Sequence, residues 1–258
     1  MKRGIYVIII LLLMIAACSH PTEESPTDQQ VEITISAAAS LKDAMDVIQE
    51  NYQKKHPEVK LKFNYAGSGS LQQQILQGAP VDLFFSAAKD KFEKLVDEGL
   101  IEKKDGIDLL GNELVLIVPI EDDVMTNLED LTEEKVDKLS IGTPDSVPAG
   151  QYAQESLKAM GLWEAIEPKI VYAKDVRQVL SYVETGNVDA GLVYKTDAMI
   201  SDKVKIVTTV PPNTYPPIVY PVGIIKDSKH CEAAKQFYQY VQSDAALKVF
   251  EDYGFIIE

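Results

Sequence analysis

Four places in this sequence set small or hydroxyl-bearing residues where a strand-like run hands over to a helix-like one. The first is Ala37-Ala38-Ala39-Ser40-Leu41 and the second is Ala66-Gly67-Ser68-Gly69-Ser70. The third, Val147-Pro148-Ala149-Gly150-Gln151, carries a proline suited to a first helical turn, so that Ala149 and Gly150 should present free N–H groups. The fourth is Lys174-Asp175-Val176-Arg177. A helix start exposes backbone N–H groups that no helical carbonyl accepts, and the helix dipole adds partial positive charge there. Serine hydroxyls supply further donors, and glycine lets the backbone approach a ligand closely. Together these are the parts of a site for a small anion. A further hydroxyl, Tyr194, ends the run Asp189-Ala190-Gly191-Leu192-Val193-Tyr194. Singly each has a plainer reading: Ser40 at the expected N-cap merely caps its helix, and Gly-Ser turns are common. The recurrence of one device along the chain favours the anion site.

Other chemistries are poorly served. The three histidines are His20 in a polar segment, His56 before Pro57, and His230 at a late helix start. None accompanies a G-x-S-x-G elbow, and no H-x₃-H or C-x₂-C spacing occurs. No enzyme is expected, no cofactor, and no directly ligated metal. Lys174 and Arg177 read as surface or supporting ion pairs, with direct contact to an anion left open.

These residues must be positioned by regular elements. Val31-Glu32-Ile33-Thr34-Ile35 alternates like a strand, and Leu41, Ala44, Met45 and Ile48 mark one stripe of a helix. A second strand, Lys60 to Tyr65, precedes a short helix marked by Leu71, Ile75 and Leu76 and closed by Gly78. Val81 to Ser86 is a third strand, followed by a helix ending at Gly99; Glu113 to Pro119 is an apolar run of buried-strand type. The order then repeats: a helix over Asn127 to Leu139, a strand Leu139 to Gly142, a helix toward Gly161, a strand Ile170 to Ala173, a helix marked by Val179, Leu180 and Val183, and the strand ending at Tyr194. A proline-rich run, Thr209 to Pro217, leads to a strand Ile218 to Ile225 and a helical C-terminus from Cys231 to Phe250. Strand–helix alternation implies parallel pairing through right-handed crossovers. The economical architecture is α/β with two lobes joined by two crossings: lobe I from residues 31–117 and 220–258, lobe II from 118–219. Ligands of such open sheets sit at the carboxyl ends of the strands, and between lobes where there are two.

The chain's 258 residues carry a net charge of −15, which argues against nucleic acid as a partner. Local N–H dipoles can still bind a small anion against such a field. At the N-terminus, Lys2 and Arg3 precede an apolar run from Ile5 to Ile15, too short to span a membrane as flanked, and then Ala16-Ala17-Cys18. Residues 1–18 read as an export signal, and Ile15-Ala16-Ala17-Cys18 resembles a bacterial lipobox, whose cysteine is lipidated. Residues 19–30 are polar and rich in Pro, Thr and Glu, as a flexible tether is. The expected location is the outer face of a bacterial cell membrane, held by the lipid on Cys18. With Cys18 lipidated only Cys231 remains, so the mature chain can form no internal disulfide.

Five ordered pieces resemble the molybdate-binding lipoproteins and periplasmic proteins of ABC importers. They are Ala37-Ala38-Ala39-Ser40-Leu41, Gly78-Ala79-Pro80-Val81-Asp82-Leu83-Phe84-Phe85-Ser86-Ala87, Val147-Pro148-Ala149-Gly150-Gln151-Tyr152-Ala153, Asp175-Val176-Arg177 and Gly191-Leu192-Val193-Tyr194. The resemblance implies the type II periplasmic-binding-protein fold, with two three-layer α/β/α lobes, and extracytoplasmic capture of molybdate or tungstate. It implies that the oxyanion is held by neutral donors: the hydroxyls of Ser40 and Ser68, the backbone N–H groups of Ala149 and Val176, and the phenol of Tyr194. The metal would then be reached only through its oxygens. Implied partners are the membrane permease and ATPase of an importer, with the protein itself a monomer. Gly67 and Gly69 flank Ser68 where relatives often carry more hydroxyls, which leaves a role for Ser70 open. A binding protein for sulfate or another small anion, and a surface module outside transport, share the fold and remain as alternatives.

Overall fold

Strand β1 (Val31–Ala38) pairs in parallel with β2 (Val59–Ala66) on one side and β3 (Leu83–Phe85) on the other. Its interior position explains why Ser36 is buried along with Ile33, Ile35 and Ala37. The computed structural model describes residues 30–122 and 124–258. The expected export signal, Cys18 and all but the last residue of the expected tether lie outside the described residues. Strands β4 (Ile101–Asn112), β10 (Ile218–Ile225) and β11 (Ile256–Ile257) complete a six-stranded sheet in the order β11-β4-β10-β3-β1-β2, with β10 antiparallel to β3 and β4. A five-stranded sheet holds β5 (Leu114–Pro119), β6 (Leu139–Gly142), β7 (Ile170–Ala173), β8 (Ala190–Tyr194) and β9 (Val204–Thr209) in the order β7-β6-β8-β5-β9. Strands joined through helices run parallel in both sheets, whereas β5, which follows a crossing, runs antiparallel to its neighbours β8 and β9.

Helices cover both faces of the first sheet. Phe84 of β3 packs among Leu71 and Ile75 of α2 (Ser68–Leu76) and Phe92 and Leu95 of α3 (Lys89–Asp97). Its neighbours Leu83 and Phe85 face the opposite core, with Met45, Ile48 and Tyr52 of α1 (Lys42–Lys55), Phe237 of α8 (Cys231–Tyr240) and Phe250 of α9 (Asp244–Asp252). That alternation is the period-two signature of a strand buried on both sides. The second lobe adds α4 (Pro148–Ala159), α5 (Trp163–Ile166), α6 (Val176–Glu184) and α7 (Lys195–Met199). Among the described residues no helix is long and apolar enough to cross a membrane.

Three expectations need correction. The chain changes sheets between Asn112 and Leu114 and returns before Ile218, so β5 belongs wholly to the second sheet and the expected boundaries at 117 and 219 shift. Apolar residues on both sides of the crossing hid it. The strands β4, β9 and β11 were not expected at all, because two of them lie at sheet edges and β4 is half polar. Finally, Asn127 to Leu139 forms only a single 3₁₀ turn, Glu129–Thr132. Here the Asp130 carboxylate accepts the N–H groups of Thr126 and Asn127, and Asn127 Oδ1 accepts that of Asp130. Such local side-chain bonds compete with a helix.

The carboxyl ends of β1, β2 and β3 point toward those of β6 and β8 across the interface between lobes. Phe84, fully buried between α2 and α3, fixes the helix that carries Ser68. Phe84→Ala is expected to lower the free energy of unfolding by about 3–5 kcal/mol in urea titration.

Candidate anion-binding site

All five residues expected at the site line one small cavity: Ser40 and Ser68 from the first lobe, Ala149, Val176 and Tyr194 from the second. The remaining lining residues are Ala38, Ala39, Ala66, Gly67, Ala87, Val147 and Pro148, so no charged side chain faces the space. Ser70, Lys174 and Arg177 do not line it, and neither does His56 or His230.

What matters in such a cavity is which polar hydrogens remain unspent. Ser68, the first residue of α2, is fully buried, and its Oγ accepts the Ala87 N–H at 2.9 Å. With an acceptor position occupied, its own O–H is left to donate. At α6 the N-cap is Asp175, whose carboxylate takes the Gln178 N–H at 2.8 Å and leaves that of Val176, the first helical residue, open. Pro148 is the first residue of α4, and the Ala149 N–H that follows has no intrahelical acceptor. Gly150 departs from expectation, because its N–H is spent on the Val147 carbonyl at 2.9 Å. Tyr194 closes β8 with its ring buried, and burial raises its phenol well above the ordinary value, so it stays a protonated donor. Here its O–H donates to the Ala87 carbonyl at 3.4 Å, and would have to leave that acceptor to serve an anion.

Ser40 is not an N-cap. It sits in a 3₁₀ turn, Ala39–Leu41, ahead of α1, and no side chain caps that helix. Its hydroxyl instead lies 2.9 Å from the phenol of Tyr220 on β10. Tyr220 Oη accepts from Asn112 Nδ2 at 3.2 Å, and the same nitrogen donates to Thr196 Oγ1 at 3.0 Å. The amide's orientation is fixed, since Asn112 Oδ1 accepts the Glu113 N–H at 2.9 Å. Tyr220 thus accepts from Asn112, and its oxygen shares one further hydrogen bond with the Ser40 hydroxyl, in which either oxygen can be the donor. Sequence reasoning missed Asn112 and Tyr220. The available signal was a polar side chain at the crossing, and a hydroxyl within an otherwise apolar returning strand.

The backbones of the two lobes meet beside Ser68. Gly69 N–H donates to the Ser146 carbonyl at 3.0 Å. A Cβ on Gly67 would lie 2.5 Å from the same carbonyl oxygen, and one on Gly69 would lie 2.8 Å from that of Asp145. Glycine on both sides of Ser68 is what this approach requires.

Arg177, next to Val176, turns away from the cavity. It is paired with Asp43 of α1, and its Nε lies 2.8 Å from Asp197 Oδ1 on α7. That second contact is off the N–H direction, so neither atom has a hydrogen-bond partner of good geometry, and nor does Asp197 Oδ2. Complete burial pushes the Asp197 carboxyl up from 3.8 to about 7, against the opposing pull of the Arg177 charge.

A family described as bacterial extracellular solute-binding protein matches residues 33–256. That span contains both lobes and the cavity between them. The chain belongs to this family. Among solute-binding relatives, the provisionally named ABC transporter substrate-binding lipoprotein YvgL of Bacillus subtilis is 56% identical over 247 residues, covering 95% of this chain and 94% of its own. The molybdate-binding protein ModA of Haemophilus influenzae is 38% identical, over 87% of this chain and 89% of its own. The periplasmic molybdate-binding protein of Azotobacter vinelandii superposes with a TM-score of 0.80 at 24% identity, over 88% of this chain and 99% of that one. The solute-binding protein described here thus has the two-lobed periplasmic-binding-protein fold, with mixed sheets flanked by helices.

The raised carboxyl of Asp197 has a measurable consequence. A carboxyl that holds its proton more tightly when folded stabilises the protein at low pH, and that contribution is lost as pH rises from about 4 through about 7. Asp197→Asn should remove this component, at most about 1.4 kcal/mol per pH unit within the window. Urea unfolding of both proteins across the window checks it, and parallel profiles would contradict it.

Proposed function

We propose that this protein captures molybdate, and tungstate with it, outside the cell membrane and delivers it to an ABC importer. The observation that carries the reading is the cavity itself. Donors from both lobes converge on it, its lining residues are uncharged, and the cations adjoining it in sequence, Arg177 and Lys195, are engaged by carboxylates elsewhere. Proteins named for molybdate binding among its relatives support the choice of anion.

In this reading the hydroxyls of Ser40, Ser68 and Tyr194 and the N–H groups of Ala149 and Val176 each donate to an oxygen of the anion. A cage of donors selects protonation state. A fully deprotonated dianion finds each oxygen matched, whereas protonated phosphate would bury an O–H without an acceptor. Sulfate is also a dianion, so cavity size discriminates against it. Molybdate and tungstate, nearly equal in size, are both held. Because the donors are divided between the lobes, the anion favours the closed arrangement, and hinge motion at the two crossings admits and releases it. The closed form would dock as a monomer on a permease driven by an ATPase. Lipid on Cys18 would hold the protein at the outer face of the membrane, a reading supported by the relative named as a lipoprotein.

Calorimetric titration with molybdate, tungstate, sulfate and phosphate tests the assignment. Tight one-to-one binding of the first two, with the others silent, is the expected result. Sulfate binding as tightly as molybdate would keep the anion site and overturn the named ligand. Ser40→Ala and Ser68→Ala should each weaken molybdate binding by about 1–3 kcal/mol, since each removes a buried donor to a charged group. Unchanged affinity in both would reject the cage as drawn.

A further inference from the structure

Arg177 links the second lobe to the first. It is the second residue of α6, its side chain is 21% exposed, and it lies on the second lobe beside the proposed donor Val176. Its Nη2 pairs with Asp43 in the first turn of α1 and donates to the Ser40 carbonyl at 3.4 Å, both on the first lobe. Its Nε faces Asp197 on its own lobe.

The two carboxylates differ in a way that suits a moving part. Asp197 is fully buried on the same lobe, so its carboxyl stays beside Arg177 whatever the lobes do. The Asp43 side chain is 37% exposed, so water can take it up when the lobes separate. A half-exposed ion pair is weak enough to break and re-form. Pairing with carboxylates also keeps the positive charge out of the cavity.

We infer that Arg177 is a clasp: a positioning residue that ties the start of α6 to Asp43 and Ser40, so that closing the lobes brings the Val176 N–H and the Ser40 hydroxyl to one anion. The clasp rests on the proposed anion reading, but its own part, closure, can be measured without any anion. Substitutions at Arg177 would strand the buried Asp197, so the test is placed on Asp43. Asp43→Asn removes the charge on the first lobe, Asp43→Lys opposes Arg177 with a like charge, and Asp43→Glu keeps the pairing.

Titration with molybdate is expected to show affinity reduced about 3–10-fold in Asp43→Asn, the scale of a half-exposed ion pair. The loss should be larger in Asp43→Lys and small in Asp43→Glu, with the anion-free melting temperature unchanged in all three. Small-angle X-ray scattering without anion should show Asp43→Lys more expanded than the native protein. Native-like affinity in both Asp43→Asn and Asp43→Lys would overturn the clasp, as would a fall in anion-free stability that tracks the loss of affinity. If the native protein binds no molybdate, the ligand reading fails and scattering alone decides the clasp: a native-like profile for Asp43→Lys overturns it, an expanded one supports it.

Discussion

Asn112 stands where the chain first leaves one sheet for the other, and its amide bonds to both lobes at once. One hydrogen goes to Thr196 at the start of α7, the other to Tyr220 on the returning strand, and its carbonyl holds the next backbone N–H. Because the amide can face only one way, Tyr220 accepts from it and is held within hydrogen-bond reach of Ser40. That one side chain anchors the polar groups that lead from the crossing to the cavity. In a buried region such a chain of donors is stronger than its separate bonds, and a break anywhere leaves a polar group without a partner. The same knot lies at the first crossing, where the proposed hinge motion would act.

The remaining donors follow the same economy. Two are kept free because a neighbour satisfies the competing group: Asp175 takes the Gln178 N–H, and the Ala87 N–H occupies Ser68 Oγ. Burial keeps the Tyr194 phenol protonated, and its hydrogen rests on the Ala87 carbonyl. The overall negative charge of the chain is not an obstacle to such a site, since the dipoles act at contact distance while the net field is spread over a solvated surface. Arg177 illustrates the separation of tasks. Its charge is consumed by Asp43 and Asp197, and the cavity stays neutral.

The sequence revealed the parts of this site that are local. A helix start announces itself through its own few residues, so Ser68, Ala149 and Val176 could be named from the pattern, and Tyr194 from the end of its strand. Ser40 was named for the wrong reason, because a 3₁₀ turn and an α-helix share the same small residues at their entry. What stayed hidden depends on distant partners. Ser40 and Tyr220 are 180 residues apart, and Arg177 and Asp43 are 134 apart. No spacing rule reaches so far. The alternation of strands and helices gave the α/β class and the two lobes, while the crossing at Asn112 was masked by apolar residues on either side. The absent helix after Asn127 failed for a local reason, since Asp130 offers the backbone a better partner than the helix does.

The contact between the Gly69 N–H and the Ser146 carbonyl bears on timing. Backbone of the two lobes meets at the edge of the cavity beside a serine that has no exposed surface, so this edge is shut in the arrangement seen here. In the proposed function the dwell time of an occupant would follow the parting of the lobes, and would not lengthen in simple proportion to each added hydrogen bond. A carrier built this way can hold its cargo firmly and still hand it over quickly, provided that the receiving membrane complex draws the lobes apart.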